Sequence, residues 1–186
     1  NSMISIGNSA FCYFIKLSSV GLPNSITYIE NRAFAESAIT TITLPNSLTT
    51  INAEVFSTCS SLETVKISNS ITKINQGAFN LCPKLNNIDT SENTNFIFEN
   101  NMLYTKGYKI LLAVTGDIQS VIMNETTEEI ESFSIYNRNV KEIYIPASVT
   151  RIGGESALGV FKLDKLEVDE KNQNYASYDN DLYDKT

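Results

Sequence analysis

A period of about 23 residues runs through the 186-residue chain and restricts it to folds in which one small unit is stacked on the next. The stretch LPNSITYIENRAFAESAITTIT from Leu22 lies over LPNSLTTINAEVFSTCSSLETVK from Leu44 and ISNSITKINQGAFNLCPKLNNID from Ile67. The same template returns in phase as MNETTEEIESFSIYNRNVKEIY from Met123 and IPASVTRIGGESALGVFKLDKLE from Ile145. Even NSMISIGNSAF obeys it, entering at the third template position with Ile6 and Phe11 where Ile29 and Phe34 stand one coil later. The chain is therefore expected to begin in mid-repeat.

Each unit carries L-x-x-(I/V)-x-(I/L), as in Leu62, Val65 and Ile67, and apolar residues at spacing two predict a short strand with one buried face. Such strands begin near Leu17, Ile39, Leu62, Leu85, Ile118, Val140 and Leu163. Stacked about 4.8 Å apart, they predict one parallel sheet about 30 Å long. Upstream of the strand lies A-F-x-x-C-x-x-L or a variant (Phe56, Cys59, Leu62), whose spacing of three suits a single helical or 3-10 turn. The segment S-(I/L)-T-x-I (Ser47, Leu48, Thr49, Ile51) then carries the chain back along the other side. One unit has too few large apolar side chains to offset the backbone entropy of ordering it, so neighbours must share strand hydrogen bonds and cover each other.

Between Asp89 and Met123 the repeat swells, and NTNFIFENNMLYTKGYKILLAVTGD predicts a β-hairpin excursion with Lys106-Gly107 as its turn. Asn174, Tyr175, Leu182 and Tyr183 keep the spacing of Asn95, Phe96, Leu103 and Tyr104, which predicts a second such hairpin at the end of the chain and a native protein that continues past Thr186. The expected organisation is one solenoid over 1–186, with regular repeats at 1–89 and 123–167, hairpin excursions at 90–122 and 168–186, and both ends cut.

The pattern L-P-x-S-(I/V/L)-T-x-I-x-x-x-A-F-x-x-C-x-x-L-x-x-(I/V) resembles the BspA-like leucine-rich repeats, on in-phase copies at Ser25-Ile26-Thr27, Ser47-Leu48-Thr49, Ser70-Ile71-Thr72 and Ser148-Val149-Thr150, followed by Ala33-Phe34 and Ala78-Phe79. The hairpin excursions resemble that family's interruptions. Two units depart: Ile135 replaces the phenylalanine, and Ala157 takes the slot in the last unit with Phe161 displaced. The resemblance implies a β-rich leucine-rich-repeat solenoid and a secreted or cell-surface adhesin that binds host extracellular-matrix or plasma glycoproteins, or other microbial cells. An intracellular or envelope scaffold that organises other proteins is the alternative, because the same solenoid serves either role.

Chemistry is sparse. Without a histidine the chain lacks the usual general base and metal ligand and every Ser-His or Cys-His nucleophile. The reading is a non-enzyme without cofactor or metal. A net charge of -7, with no cluster of Lys and Arg, argues against nucleic acid. No apolar run is long enough for a spanning helix, so direct membrane insertion is not expected. The acidic group Glu125, Glu128, Glu129 and Glu131 falls on a return segment and is expected to be a solvated face. Asp179, Asn180, Asp181 and Asp184 lack the glycine and terminal glutamate of a calcium loop and are expected to form a polar hairpin tip. Cys59 and Cys82 share one repeat position and are read as reduced core thiols, with Cys12 a lone thiol. Gly153-Gly154 marks a bend, where conformational freedom suits glycine. Asn124-Glu125-Thr126 is a glycosylation sequon that matters only in a secreted eukaryotic protein.

The candidate binding face is the outward row of the strands: Thr41 and Thr43, Thr64 and Lys66, Asn87 and Asp89, Glu142 and Tyr144, Lys165 and Glu167. The expected partners are protein or glycoprotein ligands. The tyrosines of the excursions, Tyr104, Tyr108, Tyr175, Tyr178 and Tyr183, are a second candidate surface, unless they serve only to cover the solenoid where its repeat is interrupted.

Overall fold

Period-two alternation over a buried Val or Ile produces the strands. In the first three such strands, Thr41–Thr43, Thr64–Lys66 and Asn87–Asp89, one apolar residue points inward between two outward polar ones, and Ile42, Val65 and Ile88 are buried. These three front strands pair in parallel and in register, so Thr41, Thr64 and Asn87 form one row and Thr43, Lys66 and Asp89 another. Three more, Ser120–Ile122, Glu142–Ile145 and Lys165–Val168, form a second parallel front sheet. The computed structural model describes residues 4–154, 157–160 and 163–185, and the displaced Phe161 lies outside them. The architecture is a β-solenoid of leucine-rich-repeat type.

The front face differs from a single seven-stranded sheet in two ways. Among the described residues the strand near Leu17 is reduced to one parallel bridge, Ser19 to Thr41. The first hairpin excursion also separates the two three-stranded sheets, because no pairing joins Asn87–Asp89 to Ser120–Ile122.

The return segments make ladders of their own: Ser5–Ile6 with Tyr28–Ile29, and Thr50–Ile51 with Lys73–Ile74. The structure explains the S-x-T signature. The hydroxyls of Ser47, Ser70 and Ser148 donate to Ile26 O, Leu48 O and Thr127 O of the preceding coil, and those of Thr72 and Thr150 reach back to Thr49 O and Glu128 O. Each serine thus supplies a donor to a backbone carbonyl of the preceding coil, and each threonine adds one to a carbonyl that backbone N–H groups already hold.

The A-F segment is tighter than a helical turn. Alternate N–H groups bond within the coil, Ala33 N to Glu30 O and Ala35 N to Arg32 O, while those between them bond to the next coil, Arg32 N to Ala53 O and Phe34 N to Val55 O. Left-handed backbone at Arg32, Glu36, Glu54, Thr58 and Leu81 breaks helical winding. Gly77 fills the equivalent of Arg32 and Glu54 at φ 64°. The phenylalanines therefore fall directly over one another: Phe11, Phe34, Phe56 and Phe79 stack with centroids 5.3, 5.8 and 5.7 Å apart and planes within 11°.

The first excursion is a three-stranded meander. Phe96–Glu99 and Met102–Thr105 pair across Asn100-Asn101, both with positive φ, a hairpin turn that the sequence reading did not single out. Lys106-Gly107 instead links Met102–Thr105 to Ile110–Val114, which runs antiparallel to it. Ile110–Val114 also pairs in parallel with Glu129–Ile130, and that strand with Arg151–Ile152, so the meander continues the return ladder. Its strands are buried on both sides. Leu103, Leu112 and Ala113 belong to the apolar core of the first half, whereas Met102, Tyr104, Leu111 and Val114 belong to that of the second.

The second hairpin, Tyr175–Tyr178 with Asp181–Asp184, turns at Asp179-Asn180, again with positive φ at both residues. The two hairpins leave the solenoid by one device. The amide of buried Asn93 donates to Ser68 O and Ile71 O while its oxygen accepts Asn95 N–H; Asn172 does the same to Pro146 O, Val149 O and Asn174 N–H.

Candidate functional site

The outward rows predicted from the repeat phase are outward in the structure. Thr41, Thr43, Asn87, Glu142, Lys165 and Glu167 are exposed, and Thr64, Lys66, Asp89 and Tyr144 are half-buried, each flanking a buried Ile, Val or Leu. The interrupted sheet divides them into two groups of different chemistry.

The first front sheet is polar, and its edge at Thr41 and Thr43 lines a depression of about 340 Å³ with Leu22 and Pro45. Threonines Thr41, Thr43 and Thr64 lie beside Asn87, Lys66 and Asp89. Lys66 Nζ pairs with Glu92 at 2.8 Å, and Ser91 N–H holds Asp89 Oδ1 at 3.0 Å. The Ser91 hydrogen bonds lower the Asp89 pKa, and the Glu92 contact raises that of Lys66.

The second front sheet is grooved and acidic. Its rows are Ser120, Glu142, Lys165 and Ile122, Tyr144, Glu167. Together they line a depression of about 340 Å³. Ser120 Oγ donates to Glu142 at 2.9 Å, Lys165 pairs with Glu167 at 2.6 Å, and Tyr144 Oη donates to Asp169 at 2.8 Å. The Asp169 hydrogen bond and the surrounding carboxylates Glu125, Asp169 and Glu167 push the Tyr144 hydroxyl up to about 12, so it stays a donor at neutral pH. Ser120 and Ile122 were absent from the sequence-derived row; the outward phase of Glu142 and Tyr144, carried one strand back, identifies both.

The tyrosines divide. Tyr104 is not exposed: it is 2% accessible, its ring packs edge-on against Tyr108, and burial pushes its hydroxyl up to about 12. Tyr104 thus covers the interrupted solenoid. Tyr108 is half-buried and donates to Glu99 at 3.0 Å, and Tyr175 is half-buried with its hydroxyl accepting Ile152 N–H at 3.0 Å. Tyr178 and Tyr183 are exposed.

Other candidate groups have structural partners. Glu128 pairs with Lys109 and Glu129 with Arg151, on the return side. Asp179 and Asn180 form the second hairpin's turn, and among the described residues no group of three or more His, Cys, Asp or Glu is arranged to hold a metal ion. Cys59 and Cys82 are free, buried thiols that donate to Phe34 O at 3.1 Å and Phe56 O at 3.0 Å. Burial raises both pKa values, that of Cys59 to about 11. Gly153 is explained by crowding rather than by conformational freedom: a Cβ there would meet Ser132 N at 2.5 Å. Asn124 Oδ1 accepts the N–H and hydroxyl of Thr126 at 3.0 and 2.8 Å. Among the described residues no helix is long and apolar enough to cross a membrane.

Comparison with known proteins agrees with this architecture. A search of curated proteins brought no match. A leucine-rich repeat protein from Eubacterium ventriosum superposes with a TM-score of 0.77 and 27% identity, over 88% of this chain and 44% of that one. A leucine rich cell surface protein from Faecalibacterium prausnitzii shares the fold at TM-score 0.58 and 22% identity, over 88% of this chain and 51% of that one. The pneumococcal vaccine antigen PcpA does so at TM-score 0.57 and 22% identity, over 76% of this chain and 42% of that one. The chain thus spans about half or less of each of these proteins. The BspA type leucine rich repeat region matches in six copies, over residues 1–109 and 113–179, and the chain belongs to that family of repeat proteins.

Proposed function

We propose that the chain is the recognition part of a cell-surface or secreted protein and holds protein or glycan partners, from a host or from other microbes, on its front strand faces. The observation that carries this reading is the pair of registered outward rows, in which side chains on parallel strands are fixed about 4.8 Å apart over a buried core. Such rigidity reduces the entropy lost on binding. The repeat architecture is of a kind that serves protein interaction along an extended face. The surface assignment draws support from the Faecalibacterium relative, which is named as a cell surface protein. Candidate ligands are extracellular-matrix and plasma glycoproteins, and no catalytic role is proposed.

The test is binding of the purified chain to an immobilised panel of matrix and plasma glycoproteins at physiological salt, against the triple variant Lys66→Ala, Glu142→Ala, Tyr144→Ala. Saturable binding that the variant loses supports the reading. Absence of binding across the panel overturns the adhesin role for this chain and favours a scaffold.

A further inference from the structure

Ile122 is out of place on this molecule. It is the last residue of Ser120–Ile122, the edge strand of the second front sheet, facing outward, and is 66% exposed. Among the described residues, every other exposed large apolar side chain lies within residues 4–28 or 178–183. Nothing in the solenoid's packing requires an aliphatic residue there, since Val121 and Met123 on either side already supply the core.

Ile122 is also the shared wall of two depressions. One, of about 340 Å³, extends over Tyr144 and Glu142 to Glu167. The other, of about 190 Å³, runs under the first hairpin past Glu99 and Tyr108. An apolar strip of Ile122 and the Tyr144 ring is therefore bordered by carboxylates: Glu99 on one side, Glu142, Glu167 and Asp169 on the other. Lys165, tied to Glu167, is the only cation among the residues lining either depression, which leaves the border strongly negative.

We propose that this groove seats an arginine side chain carried on an extended basic segment of a protein partner. The proposal rests on the front face being the binding face, and it adds which of the two sheets binds and what chemistry it selects. An arginine has the required parts in the required order: an aliphatic stem to lie along Ile122, a planar guanidinium to stack on the Tyr144 ring, and five donors to meet Glu142 and Glu167. A carboxylate pair accepts that fork with directional hydrogen bonds, whereas a lysine offers only a point charge. A flanking basic residue reaches Glu99 across Ile122. The first front sheet, with threonines in these positions and Lys66 among them, has neither the strip nor the charge.

The experiment is calorimetric titration of the chain with a synthetic Gly-Ser peptide bearing three alternating arginines, beside its citrulline and glutamate counterparts, at low and physiological salt. The arginine peptide is expected to bind one-to-one and more weakly as salt rises, and the citrulline and glutamate peptides not to bind. Glu142→Gln with Glu167→Gln should weaken binding about tenfold or more, and Ile122→Ser several-fold, values typical of losing about 1 kcal/mol or more. Glu63→Gln with Glu92→Gln, which removes equal charge from the first half outside the outward rows, should leave it unchanged. All five positions are exposed, and circular dichroism reports that the fold is kept. Equal loss in both charge pairs, or no binding of the arginine peptide, overturns the proposal. A panel ligand that still binds while the arginine peptide does not would sink this inference and leave the wider reading standing.

Discussion

The two halves of the solenoid use the same repeat to different ends. Up to Asp89 the units are regular: four phenylalanines stack, two thiols cap carbonyls, and the front face is polar and rich in threonine. After Ser120 the phenylalanine slot holds Ile135 and then Ala157, no ring stack continues among the described residues, and the front face sets Ile122 and Tyr144 among carboxylates. The ring stack and the threonine-rich face thus belong to one half, the aliphatic slot and the acidic, tyrosine-bearing face to the other.

The comparison breaks most severely at the stack. Phe56→Ala is expected to cost about 3–5 kcal/mol, against about 0.5–1.5 kcal/mol for Ile135→Val, measured by denaturant unfolding. A smaller difference between the halves than this would mean that the ring ladder is not the main lock.

The exit asparagines test whether the halves share anything. Asn93 is buried with three backbone partners and Asn172 with four, so Asn93→Ala and Asn172→Ala should each lose about 2–3 kcal/mol in the same assay. A loss confined to Asn93 would show that the second hairpin is anchored elsewhere.

Beside Tyr104 and Tyr144 of the second half, whose hydroxyls are also pushed up, alkali should act on the first half through its thiols. Both buried thiols lie there, and their folded pKa values are raised, so the folded state holds these protons more tightly than the unfolded chain. That contribution is complete below about pH 9 and is lost as pH climbs toward about 11, where Cys59 titrates. Thermal melts at pH 7 and pH 10.5 should show a drop that Cys59→Ala with Cys82→Ala reduces. Native Cys12, which is partly exposed, should react with a thiol reagent well before the other two.

The smallest effect belongs to the surface. Tyr144→Phe removes one half-buried hydrogen bond to Asp169 and should change stability by about 0.5–1 kcal/mol or less. A larger loss would make Tyr144 part of the scaffold rather than of a binding face.

Much of this was legible in the residues because period and phase are local properties. Val65 between Thr64 and Lys66 needs only the pleat to be placed, and the in-phase Ser-x-Thr copies place the return strand. What escaped were contacts between coils. The left-handed backbone at Arg32 and Glu36 is imposed by hydrogen bonds to the next coil, and neither residue advertises it. Tyr104 and Tyr183 occupy matching hairpin positions, yet one is buried and the other exposed. The difference comes from Ile110–Val114, which pairs with the strand of Tyr104 and has no counterpart beside Asp181–Asp184 among the described residues. The groove escaped for a similar reason: Ile122 was missing from the outward row, where the register beside Tyr144 puts it.

The first excursion has a mechanical consequence. Repeat arrays usually unzip from an end, each coil released by the loss of its neighbour. Here strands Met102–Thr105 and Ile110–Val114 present alternate side chains to both apolar cores, Leu103 to one and Tyr104 to the other. Neither core can be opened at this point without stripping the other, so the meander acts as a rivet through the middle of the array. Fraying that starts at either end must stop at it or carry the whole molecule with it.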